Sequence, residues 1–194
     1  MPAGRKPEIA ARLFLEALAS VTDCVTRQRL EVSRYAHSPY ESNTAAFPEP
    51  VSLRSPAGGP SGLFLDVVHM FAIIEADRSR FQRQWRATTR RYEYRLLDHD
   101  HTELLVYHWE PGDEFGGPNH PHVHVSATLN AQIDAVNERS IDLHGLHVAT
   151  GRVSLETIVR MLIEEFAIAP RRHDWRETLD RTEAVFRQEA TQRT

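Results

Sequence analysis

His120, His122 and His124 alternate with Pro121, Val123 and Val125, and this run is the most chemically loaded stretch of the chain. Side chains two apart along a strand share a face. The three imidazoles therefore point one way with Ser126 and Thr128, while Val123, Val125, Ala127 and Leu129 point the other way, into a core. Imidazole titrates near neutral pH, so such a ridge suits a general acid/base pair or a metal site. It equally suits a solvated strand face with no chemistry.

A metal reading needs a third ligand from outside the His-x-His pair. His108, Asp113, His144 and His147 are the available donors. Gly116, His122 and His124 begin a cupin-like metal spacing, and no glutamate follows near Thr128 or Leu129. Zinc or iron is thus an alternative here, with no cofactor as the leading expectation. The run from His120 to Ser126 is also similar to the signature of histidine-triad nucleotide hydrolases and transferases, which would make His122 a nucleophile.

A second cluster is basic. Arg78, Arg80, Arg83, Arg86, Arg90, Arg91 and Arg95 stand in one window with a single acid, Glu93, although the whole chain carries a net charge of −4. Arginines and tyrosines interleave at Arg90, Arg91, Tyr92, Tyr94 and Arg95. On one face, such residues contact phosphates and stack on bases. With the histidines they suit metal-independent RNA cleavage. One imidazole takes the 2′-hydroxyl proton, a second protonates the leaving 5′-oxygen, and arginine holds the developing charge. The expected roles are acid/base for His122 and His124, with His120 beside them and His108 in support. Arg90, Arg91 and Arg95 would hold phosphate, and Tyr92 and Tyr94 would stack.

The elements that must position these residues read as α+β: an antiparallel β-meander packed against C-terminal helices, with an N-terminal helical arm. Apolar residues from Ile9 to Val32 recur at helical spacing after Pro7, so residues 1–36 read as the arm. Residues 37–62 hold five prolines and three glycines and read as a linker. The α+β domain then spans 63–194. Leu63 to Ile74 reads as a buried strand, Trp85 to Leu97 and Glu103 to Glu110 as a hairpin, and His120 to Leu129 as the next strand. Ser154 caps an amphipathic helix, and Asp174 with Glu177 opens a second.

Composition narrows the setting. Hydrophobic residues make up 41% of 194 residues, enough for a core in one ordinary domain. No apolar run reaches the roughly 18 residues of a membrane span. Met1 to Pro7 has no apolar stretch of the signal-peptide kind, and Cys24 is the sole cysteine, so a cytoplasmic setting is expected.

Tyr92, Tyr94 and Leu96, then a turn, Leu104 to His108, a Pro/Gly loop and the histidine strand together resemble the TumE-type toxins of bacterial toxin–antitoxin pairs. The resemblance covers about a third of the chain, roughly Leu63 to Leu129. Where that family has an Arg-Tyr-Asp-Asn-like run, this chain has Val106 to Glu110. The resemblance implies a small toxin-like ribonuclease that acts on RNA and is neutralised by an antitoxin-like protein. The expectations from other classes are a metal-binding protein using His120, His122 and His124, and a non-enzymatic protein-interaction module.

Overall fold

The computed structural model describes residues 3–33, 38–76, 85–112, 119–126 and 147–190, without the side chains of 147 and 185–190. In chain order these form β1 (Ala3–Gly4), α1 (Pro7–Thr22), β2 (Glu31–Val32), β3 (Asn43–Ala46), β4 (Val51–Arg54) and β5 (Pro60–Glu75). β6 (Trp85–Leu97), β7 (Glu103–Trp109), β8 (His122–Val125), β9 (His147–Ala149), α2 (Leu155–Glu164) and α3 (Trp175–Ala190) follow. The strands make one sheet in the order β2-β3-β5-β6-β7-β8-β9. β1 pairs with β6, and β4 shares the outer edge of β5 with β3. The class is α+β, with an antiparallel meander from β5 to β9.

Two expectations about the first third need correction. Residues 37–62 are not a linker, because β3 and β4 lie within them and hydrogen-bond to β5. The prolines and glycines punctuate short strands there. The N-terminal helix is shorter than expected and packs on the sheet. α1 ends at Thr22, and its Phe14 packs on Phe71 and His69 of β5.

Alternation divides the sheet into two unlike faces. Leu65, Val67, His69, Tyr92, Tyr94, Leu96, Trp109 and Val123 are all buried on the face that meets the helices. Phe14 of α1, and the contacts of Tyr107 with Met161 and of Tyr92 with Val153, fix that side as the helical one. Burying one such apolar side chain contributes roughly 1.5–3 kcal/mol, so this layer carries the core. α2 starts at Ser154, whose side chain accepts a hydrogen bond from the Thr157 N–H at 3.2 Å. Asp174 stands before α3, but its carboxylate is engaged by Arg172 at 2.9 and 2.7 Å. The other face of the sheet carries Asp66, Arg91, Glu93, Arg95, His108, His122 and His124. Thr128, Leu129, Asp113, Gly116, His144 and the arginines at 78, 80 and 83 lie outside the described residues.

Candidate metal centre

The centre is assembled by strand register. β7 and β8 run antiparallel with His108 opposite His122 and Val106 opposite His124. Cross-strand partners share a face, so His108 joins His122 and His124 on the side away from the helices. One potential ligand nitrogen from each of the three imidazoles lies within 4.8 Å of the others. The His122 and His124 Nε2 atoms are 2.9 Å apart. The rings of His108 and His122 meet edge to face, with centroids 5.3 Å apart.

Tautomer and burial favour ligation. His122 is 2% exposed, and its Nδ1 lies 2.8 Å from the His120 backbone carbonyl. A carbonyl only accepts, so Nδ1 carries a proton, and in the neutral ring Nε2 then presents a lone pair toward His124. This is how a ligating imidazole is oriented by its other nitrogen. Burial pushes the His108 pKa below its ordinary value. Glu93 opposes that shift, while His122 and Arg91 add to it. His108 is therefore neutral near pH 7, as a ligand must be. Its Nε2 is buried and has no hydrogen-bond partner.

Carboxylates surround the cluster. Glu93 sits opposite His108 on β6. Glu110 places Oε2 3.4 Å from His108 Nε2, within ion-pair reach but without hydrogen-bond alignment. Arg91 joins these acids, 3.2 Å from Glu93 and 3.1 Å from Glu110. Arg95 is held by Asp66 at 3.0 Å, Glu93 at 3.4 Å and Glu103 at 3.7 Å. Beside His108, then, two carboxylates, Glu93 and Glu110, flank one guanidinium, Arg91, and the charge of Arg95 is met by Asp66, Glu93 and Glu103.

The sequence-derived site is only partly assembled. His108, His122, His124, Arg91 and Arg95 share one face. His120 is exposed just before β8 and contributes its carbonyl, with its side chain outside the three-histidine group. His122 is buried, not solvated. Arg90 is exposed beside the irregularity where β6 shifts register against β5. Tyr92 and Tyr94, each 1% exposed, lie on the helical side. They cannot stack on a base there: Tyr94 is hydrogen-bonded to His69, and Tyr92 accepts from the Val153 N–H. The alternation that aligns the tyrosines with one another also separates them from Arg91 and Arg95, which flank them in the strand.

Sequence reasoning missed Glu110 as part of the site. Its signal was the spacing His108-x-Glu110 across the end of β7, beside His122-x-His124 of β8. A groove of about 1240 Å³ lies elsewhere, along α1 and residues 26–32, and none of these histidines lines it. No known protein family, curated protein or solved structure matches this chain.

Proposed function

We propose that this domain binds a divalent transition-metal ion, zinc or one of similar preference, through His108, His122 and His124. The observation that carries the proposal is the convergence of three imidazoles within 4.8 Å, with His122 held through Nδ1 and its Nε2 facing His124. Nitrogen donors on a rigid sheet suit zinc, copper, iron or nickel over calcium or magnesium. The local excess of carboxylate adds electrostatic attraction for a cation.

The test is metal content after dialysis against zinc and removal of the free ion. About one zinc ion per chain is expected, lost in His122→Ala and in His124→Ala. His120→Ala is the control and should keep its metal, since only its backbone is used. Circular dichroism separates lost ligation from lost folding. A metal-free wild type, or a full load in both variants, sinks the proposal.

A second reading draws on one specific contact, the 2.9 Å approach of the His122 and His124 nitrogens. Such a pair shares one proton, so one ring is a base while the other is an acid, the two complementary states needed for metal-independent cleavage of RNA by the toxin-like route that the TumE resemblance implies. RNA cleavage that persists in chelator and is lost in His122→Ala would favour it over the metal reading. An antitoxin-like partner and a cytoplasmic setting belong to that second reading. Among the described residues no helix is long and apolar enough to cross a membrane.

A further inference from the structure

We infer that the free edge of β2, with the groove beside it, takes up an extended acidic peptide segment of a partner protein, added to the sheet as a further strand. Among the described residues β2 has β3 on one side and no strand on the other, so the sheet is open there. The Ser33 N–H donates to the Thr44 carbonyl at 2.9 Å, on the β3 side. Alternate residues of an antiparallel strand turn their backbone groups to opposite sides. Val32, the neighbour of Ser33, therefore turns its N–H and C=O away from β3, toward the open edge. An unpaired edge of this kind is a template for an incoming strand.

Side chains supply the second half of the site. Val32 stands opposite Ala45, and Ala45 opposite the buried His69, so Val32 is on the helical side of the sheet. It is 38% exposed there, a large apolar side chain left uncovered. With Leu30 it lines the groove of about 1240 Å³, which Ile9 and Leu15 of α1 line as well. A strand laid along β2 would send every second side chain into this groove. The charges choose the partner. Among the ionised residues of the lining, Arg12 is paired with Glu16 at 2.9 Å and Arg172 with Asp174 at 2.7 Å. Asp23 is held by Arg171 at 2.6 Å. Arg27 and Arg29 have no such partner among the described residues, and Glu8 is the one lining acid in the same condition. Both free guanidiniums lie just before Leu30 in the chain, so a segment that alternates acidic with apolar residues complements this edge.

Fluorescence anisotropy on the full chain tests this, with a labelled octapeptide alternating valine and glutamate as the probe and a valine–lysine octapeptide as the charge control. The first should bind and saturate, and the second should bind ~10-fold more weakly. Changing Arg27→Ala and Arg29→Ala together should weaken the first roughly fivefold and flatten its salt dependence. Val32→Pro removes the outward N–H without touching the Ser33–Thr44 bond, so circular dichroism should be unchanged while binding is lost. A fully N-methylated valine–glutamate peptide keeps its side chains but cannot donate to the edge. It should fail to bind the unaltered chain, which keeps the test independent of how Val32→Pro folds. Equal affinity for the two octapeptides, binding that survives N-methylation, or no binding of the valine–glutamate peptide at millimolar concentration would overturn the inference. So would a dimer in sedimentation that Val32→Pro dissolves, since the edge would then belong to a second copy of this chain.

Discussion

His69 and His122 are both 2% exposed, yet they stand on opposite faces of the sheet in unlike surroundings. His69 faces the helices, and both its nitrogens are satisfied, by Tyr94 Oη at 2.8 Å and Thr89 Oγ1 at 3.1 Å. Nothing is left for a ligand. Burial pushes its pKa down to about 3 from 6.5, with Arg152 adding to the effect. The folded state therefore excludes a proton that the unfolded chain accepts. Its contribution to stability is complete above pH 6.5 and is lost as pH falls through the window toward 3. The slope from this one residue is at most about 1.4 kcal/mol per pH unit. Urea unfolding between pH 6.5 and 5, above the range of ordinary carboxylates, should show it. His69→Gln should flatten the dependence, and an unchanged slope would mean that His69 is not the group excluding the proton.

At the scale of elements, the histidine centre depends on β8 being short and in fixed register with β7. A slip of one residue would turn Val123 outward and His122 into the core. The buried Val123 and Trp109 on the helical side oppose that slip. α2 supports the same sheet from behind, through Met161 against Tyr107. Its start depends on Ser154, whose Oγ accepts the Thr157 N–H and which is itself 2% exposed. Ser154→Ala should cost about 1 kcal/mol in urea unfolding, typical of a lost N-cap. Metal content should be unchanged, because α2 lies across the sheet from the histidines. Loss of metal in that variant would show that the two faces are not independent.

The whole molecule is a two-layer arrangement with a division of labour. Among the described residues, the helices and the large buried side chains of the core lie on one face of the sheet, and His108, His122 and His124 with Asp66, Arg91, Glu93 and Arg95 lie on the other. If the centre binds metal only in the folded state, stability must rise with metal concentration. At 100 times the dissociation constant the gain is about 2.7 kcal/mol. Thermal melts with zinc and with chelator should separate accordingly for the wild type and coincide for His122→Ala. Coincident wild-type melts, with metal shown to be bound, would place the same affinity in the unfolded chain. Crossing the sheet is also what divides Arg91 and Arg95 from Tyr92 and Tyr94, so these four residues do not form one combined base-stacking and phosphate-binding strip.

Much of this was legible in the residues alone. Period-two alternation gave the hairpin of β6 and β7 and put His122 and His124 on one side, because pleating dictates it locally. The apolar stripe after Ser154 gave α2 for the same local reason. Short strands among prolines and glycines at 43–54 escaped notice because their pairing partner, β5, follows them in the chain. The sequence could place the histidines on a strand and the arginines on another. Only register could choose His108 over His120 as the third donor, or bring Glu110 to 3.4 Å from it. Register is a non-local quantity, set by which side chains a whole sheet must bury, and no spacing within one strand contains it.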